Sequence, residues 1–184
     1  MEATKKRVAM VIAPNFEDSE AFDPKEYLER QGAEVTLIGI ERGPVAGKKG
    51  GRLEVETTFA EVSPADFDLL VIPGGGAPEN LRIHEPAVAF TRAFVESGKP
   101  VAAICHAAWT LVEADVVRGR RVTSWPSLRT DVRNAGGDWV DEAVVVDGNL
   151  ITSRRPDDIP AFNGALLEAV NHGVSSAAAT SQAG

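Results

Sequence analysis

The chain contains one cysteine, Cys105, and the residue that follows it is a histidine, His106. A thiolate is a strong nucleophile and an imidazole accepts a proton near neutral pH, so this pair has the groups needed for covalent catalysis. Two other stretches carry groups that would serve such chemistry. "PGGGAPE", residues 73–79, offers glycine backbone N–H groups that can stand close to a developing oxyanion, followed by Glu79. "NFEDSE", residues 15–20, places Glu17 where it would point into the same crevice as Cys105, with Asp18 positioned as a helix cap. Trp125 is a candidate pocket wall. In the tandem Arg154 and Arg155, Arg154 is a candidate ligand for a substrate carboxylate or carbonyl.

Several chemistries are excluded at this level. The 184-residue chain carries a net charge of −8 and a pI near 4.9, which argues against nucleic acid and anionic membrane partners. One cysteine cannot form an intrachain disulfide or a cysteine-based zinc cluster, and a lone thiol fits a reducing compartment. His84, His106 and His172 lie far apart in sequence, so no metal-ligand spacing appears, and no metal or other cofactor is expected. The glycine loop matches neither GxGxxG nor the phosphate-binding P-loop. Lys5-Lys6-Arg7 precedes a short apolar run stopped by Pro14 with no small-residue cleavage site after it, so a secretory signal is not expected and the location expected is cytoplasmic.

The elements that must position these residues are legible as apolar runs. "RVAMVIA" (7–13), "EVTLIGI" (34–40), "DLLVIP" (68–73), "PVAAIC" (100–105) and "AVVVD" (143–147) have strand length, and several lack the alternation of a half-exposed strand. Such runs suit strands covered on both faces, as in a parallel sheet. Between them, Ala87, Phe90, Thr91 and Phe94 form a helical stripe that ends at Gly98, and Ile159, Phe162, Leu166 and Val170 form another that ends at Gly173. A helix over about 18–31 contains Pro24, which predicts a break or kink near Asp23. Residues 41–58 read as a glycine-rich excursion with a short β-ribbon. The pattern predicts a doubly wound α/β sandwich in one domain over residues 1–173, with a disordered low-complexity tail over 174–184. In that architecture ligands sit beyond the carboxyl ends of the strands. Cys105 ends one such strand and a helix follows at once, with Ala103 and Ala107 two positions either side, the layout of a nucleophile elbow. The start of a helix favours thiolate over thiol, which predicts a lowered thiol pKa.

"IPGGGAPE", "AAICHAAWTL", "NFED" and "TSRRPDDIPAF" together resemble the PfpI-type intracellular proteases of the ThiJ/PfpI superfamily over about residues 7 to 172. The resemblance implies a flavodoxin-like, class I glutamine amidotransferase-like fold. It also implies homo-oligomers, a dimer or a dimer-based hexamer, with a shared active site. By position it implies that Cys105 is the nucleophile and His106 its adjacent histidine, with the backbone N–H groups of Gly75 and His106 forming the oxyanion hole. It further implies that Glu79 reaches a neighbouring subunit's Cys-His pair and that Glu17 is the buried, protonated glutamate beside the thiol. The sequence departs from the family pattern at Trp125, where a tyrosine is expected, and at Ala107, where a glycine is expected.

The function expected is that of a cysteine-dependent hydrolase, acting on peptide bonds as a protease or on methylglyoxal-type substrates as a glyoxalase or deglycase. The alternative is a redox-responsive stress protein whose single cysteine is oxidised to sulfinic acid. A glutaminase is set aside, because its resemblance would require a downstream His-x-Glu that the chain lacks.

Overall fold

The structure, a computed structural model, describes residues 5–173. The expected disordered tail over 174–184 lies outside the described residues. In chain order the first half comprises β1 (Arg7–Val11), α1 (Asp18–Arg30), β2 (Glu34–Gly39), β3 (Gly43–Ala46), β4 (Arg52–Val55), β5 (Thr57–Thr58), β6 (Leu69–Ile72), α2 (Ala77–Leu81) and α3 (Glu85–Glu96). The second half comprises β7 (Val101–Ile104), α4 (Ala108–Glu113), β8 (Arg121–Val122), α5 (Arg129–Asn134), β9 (Asp138–Trp139), β10 (Val144–Asp147), β11 (Leu150–Ser153) and α6 (Ile159–His172).

Seven strands form one sheet in the order β10-β11-β7-β6-β1-β2-β5. Every neighbouring pair is parallel except β10 with β11. Residues 69–72 and 101–104 are buried throughout, as unbroken apolar runs should be in strands covered on both faces. Helices α1 and α6 pack together on one face, while α4 packs with α2 and α3 on the other, so the fold is the doubly wound, mostly parallel sandwich that the runs predict. Residues 41–58 contain the expected ribbon, with β3 and β4 paired antiparallel. The strand β11 has no counterpart among the predicted runs, and it lies between β7 and β10. No helix among the described residues is long and apolar enough to cross a membrane.

Pro24 does not break α1, which runs unbroken from Asp18 to Arg30. The missing N–H leaves only the Glu20 carbonyl without its helical donor, and the proline ring is buried on the core side of the helix. The price of one lost bond is met by packing.

The chain reverses direction beyond the carboxyl ends of β1, β6 and β7. The turn after β1 carries Asn15 to Glu17, the turn after β6 carries Gly74 to Gly76, and β7 ends against Cys105. These three adjacent strand ends define the crevice.

Candidate active site

Cys105 opens a single 3₁₀ turn, Cys105–Ala107, between β7 and α4. Its φ is 64°, a left-handed conformation that costs a residue with a side chain roughly 1–2 kcal/mol. Side chains of adjacent residues ordinarily diverge, yet here the turn brings them together, with Cys105 Sγ 3.2 Å from His106 Nδ1. The Trp125 N–H donates to the Cys105 carbonyl at 3.2 Å and ties down the far side of the turn. The thiol itself is buried.

The glycine loop closes over the sulfur from β6. The backbone N–H groups of Gly75 and His106 both favour the charged form of the Cys105 thiol, which puts them where donors to an oxyanion on a sulfur-bound carbon must stand. Gly75 has a φ of 76°, and a Cβ there would lie 2.4 Å from the Glu17 nitrogen. The loop is tied to the turn after β1: the Glu17 N–H donates to the Gly74 carbonyl at 3.2 Å, and the Gly76 N–H donates to the Asn15 carbonyl at 2.7 Å. Glycine is required here because two backbones meet with no room between them.

The acid beside the thiol is Glu20, not Glu17. Glu20 is fully buried on the inner face of α1; its Oε1 accepts the Gly74 N–H at 2.9 Å and its carboxyl interacts with the Cys105 thiol. Burial pushes its pKa up to about 8, with the charge of Glu17 adding to the rise and the Gly74 hydrogen bond opposing it. Glu17 turns the other way. Its carboxylate bridges Lys48 Nζ at 2.9 Å and Lys49 Nζ at 2.8 Å. Burial works against its ionisation, but the hydrogen bonds from Lys49 and Lys48 outweigh that and hold it below the usual glutamate range. Glu17 is therefore a charged anchor, and the expectation of a neutral carboxyl at that position is corrected. The sequence does hold a signal for Glu20, which falls on the buried stripe of Ala21, Pro24 and Leu28. A carboxyl on an apolar stripe needs a partner.

Asp18 is likewise not a helix cap. Its two oxygens accept the N–H groups of Lys49 at 2.9 Å and Gly51 at 2.7 Å, which pins the tip of the β3–β4 ribbon beside the crevice. Neither lysine was singled out by sequence, because only the ribbon brings them near the turn after β1.

The expected lowering of the thiol pKa is also corrected. Burial, followed by the charge of Glu20, pushes Cys105 up to about 12, against the lowering influence of the His106 and Gly75 N–H groups. The helix that follows is short and starts three residues later, so it adds little positive potential at sulfur. Glu20 and Cys105 each shift the other's pKa, so they titrate as a pair. When Glu20 keeps its proton, its charge no longer opposes the thiolate and its O–H can donate to sulfur. His106 is held below its usual value by burial and then by the Lys48 charge, so its imidazole is neutral near pH 7 and free to accept the thiol proton.

Two tryptophans wall the imidazole. Trp125 stacks on His106 with ring centres 6.1 Å apart and planes 22° apart, and Trp109 meets it edge-on at 5.1 Å. Trp125 thus stands beside the Cys105–His106 pair. Arg154 does not. Its Nε and Nη2 bind Asp158 at 2.9 and 3.0 Å and its Nη1 binds Asp141 at 2.9 Å, so its hydrogen bonds are used within the chain. The side chain that reaches Trp125 is that of Arg155, whose Cζ lies 5.8 Å from the indole centre. Glu79 is exposed on the first turn of α2 and makes no side-chain hydrogen bond among the described residues.

Comparison with known proteins places this geometry among relatives. A family model described as the DJ-1/PfpI family matches residues 6–169. The chain is 47% identical over 161 residues to "Protein/nucleic acid deglycase 2" of Escherichia coli, covering 86% of this chain and 94% of that protein. It is 46% identical over 169 residues to "General stress protein 18" of Bacillus subtilis, covering 89% and 98%. A crystal structure of a two-domain protein with DJ-1/ThiJ/PfpI-like and ferritin-like domains from Anabaena variabilis superposes with a TM-score of 0.90 at 40% identity. That match covers 92% of this chain and 49% of the two-domain chain.

Proposed function

We propose that this chain, which belongs to the DJ-1/PfpI family, is a cytoplasmic cysteine-dependent hydrolase of the deglycase type, releasing amines from methylglyoxal adducts. The observation that carries the reading is the Cys105 sulfur, held at a strained turn with two backbone N–H groups, a neutral imidazole and a protonated carboxyl all within reach. The deglycase name of the Escherichia coli relative supports the choice of substrate.

His106 Nδ1 takes the thiol proton, and sulfur attacks the carbinol carbon of the adduct. The carbon–nitrogen bond breaks and the amine leaves with that proton, giving a hemithioacetal. The hydrogen on the attacked carbon then moves as a proton to the adjacent carbonyl carbon, with Glu20 as carrier. The first carbon is oxidised and the second reduced within the substrate, so no external oxidant is needed. Water hydrolyses the resulting thioester. The net change is adduct plus water to amine plus lactate, and the N–H groups of Gly75 and His106 hold the oxyanions on the way.

The test measures amine and lactate released from methylglyoxal-treated peptides, beside cleavage of an untreated peptide panel. Equal amounts of amine and lactate, without chain cleavage, are expected. Cleavage of the panel with no lactate would make the protein a peptidase instead. The competing reading is a redox-responsive stress protein, favoured by the name of the Bacillus relative and by a carboxyl placed to bind an oxidised sulfur. Oxidation of Cys105 by dilute peroxide with no turnover of either substrate would select it.

The reading includes a homo-oligomer in which Glu79 orients His106 of a neighbouring subunit. It is supported by the exposure of Glu79 and by Ile83 nearby, an isoleucine 84% exposed beside an apolar groove of about 480 Å³. Glu79→Gln should lower turnover by about tenfold or more without a change in melting temperature. Mixing Cys105→Ser subunits with Glu79→Gln subunits should restore part of the activity, because some interfaces then hold one intact site. A mixture that exchanges subunits and stays inactive refutes the shared site.

A further inference from the structure

Arg154 and Arg155 are adjacent and chemically identical, but the structure gives them opposite situations. Arg154 is bound by two aspartates. The Arg155 guanidinium forms no hydrogen bond or ion pair among the described residues, and its Nε is buried with no partner. Asp158 feels its charge, but both Asp158 oxygens are already taken by Arg154. A buried N–H donor without an acceptor costs stability, about 1–3 kcal/mol, unless something else supplies the acceptor.

Its location says what that acceptor is for. The guanidinium lies over one face of Trp125, and the same indole stacks on His106, whose Nδ1 touches the thiol. The steps of 6.1 Å and 5.8 Å put Arg155 Cζ at most about 12 Å from the imidazole centre. Trp125 is 37% exposed, so a substrate can lie along this row of groups. We infer that Arg155 is a specificity-determining residue that binds a carboxylate of the substrate, selecting glycated peptides whose free carboxyl end lies within about three residues of the reacting amine. Three extended residues span roughly 10 Å. The planar fork of a guanidinium matches a carboxylate with two parallel hydrogen bonds, which an ammonium cannot do. Methylglyoxal itself has three carbons and no such anion, so the site would favour the adduct over the free aldehyde.

The inference rests on Cys105 as the reactive centre, and two measurements separate its fate from that of the deglycase reading. The first is calorimetric binding of Gly-Gly-Ala as the free acid and as the carboxyl-terminal amide to the Cys105→Ser protein. The acid should bind at least tenfold more tightly than the amide. Adding Arg155→Met, which keeps an unbranched stem over Trp125, should remove that difference, and Arg155→Lys should restore part of it. The second is the ratio of kcat/KM for the methylglyoxal adducts of the same two peptides. Wild type should prefer the acid at least tenfold, through KM, and Arg155→Met should bring the ratio close to one. A merely structural role would slow both adducts alike and leave the ratio standing. Equal binding of acid and amide to the Arg155 protein, or a preference that survives Arg155→Met, overturns the inference. Selective binding with no turnover of either adduct sinks the deglycase reading and leaves the carboxylate site in place.

Discussion

The Cys105→Ser protein should lose turnover of the glycated peptide by on the order of 10³-fold or more, while its melting temperature stays within about 2 °C of wild type. Oxygen would occupy the place of sulfur with the same Gly75 and His106 N–H donors around it, so the surroundings are unchanged. What changes is acidity and nucleophilicity. A neutral imidazole at 3.2 Å can take a proton from a thiol held beside hydrogen-bond donors, but a serine hydroxyl is a far weaker acid and needs a far stronger base. Stopped assays of lactate against circular dichroism melts decide the matter, and retention of more than a tenth of the turnover would remove Cys105 from the reaction.

Glu20→Gln should make the protein more stable and less active at once. The pKa of Glu20 rises from the ordinary 4.5 to about 8 on folding, chiefly through burial. An acid whose folded pKa is raised binds its proton more tightly in the native state. Its contribution to stability is therefore fully present below about pH 4.5 and is lost as pH rises through about 8. The loss across that window is on the order of 4 kcal/mol. Glutamine keeps the shape and cannot ionise, so the variant should gain most over wild type at and above pH 8 and little at pH 4.5. Urea unfolding at several pH values measures the gap, and a constant gap across that range would show that Glu20 is not the titrating group. Turnover should fall by about 10²-fold, because the amide can hydrogen-bond to sulfur but cannot carry the proton between two substrate carbons. A variant as fast as wild type would leave Glu20 a donor only.

Much of this site is legible in the sequence, and the parts that are not share a cause. Runs such as "LLVI" and "VAAI" announce doubly covered strands because nothing polar interrupts them, and that puts Cys105 and the glycine loop at strand ends, which the structure makes neighbours. The acid beside the thiol lies three residues beyond the one the motif points to, because a run of acids does not reveal where helical rotation begins. Helix α1 starts at Asp18, so Glu17 is still extended and faces the lysines of the ribbon, while Glu20 has turned inward. The arginine that reaches Trp125 lies one residue beyond the one singled out in the sequence, for a similar reason. Asp158 lies four residues after Arg154 and captures it, and nothing in the pattern of two arginines says which will be captured. The thiol pKa is not legible in the local turn, because burial and a neighbouring carboxyl from another element outweigh it.

The proposed nucleophile, Cys105, and its proton acceptor, His106, share one peptide bond. An insertion, a hinge or a rotating lobe can separate catalytic groups that come from different loops, but it cannot come between Cys105 and His106. Loop changes therefore leave the pair together, and changes of substrate preference fall on the segments around it, the β3–β4 ribbon and the turns after β8 and β11. For protein engineering this makes the reagent portable and the substrate preference editable. Changes confined to Lys48, Trp125 or Arg155 leave the covalent geometry of the dipeptide untouched.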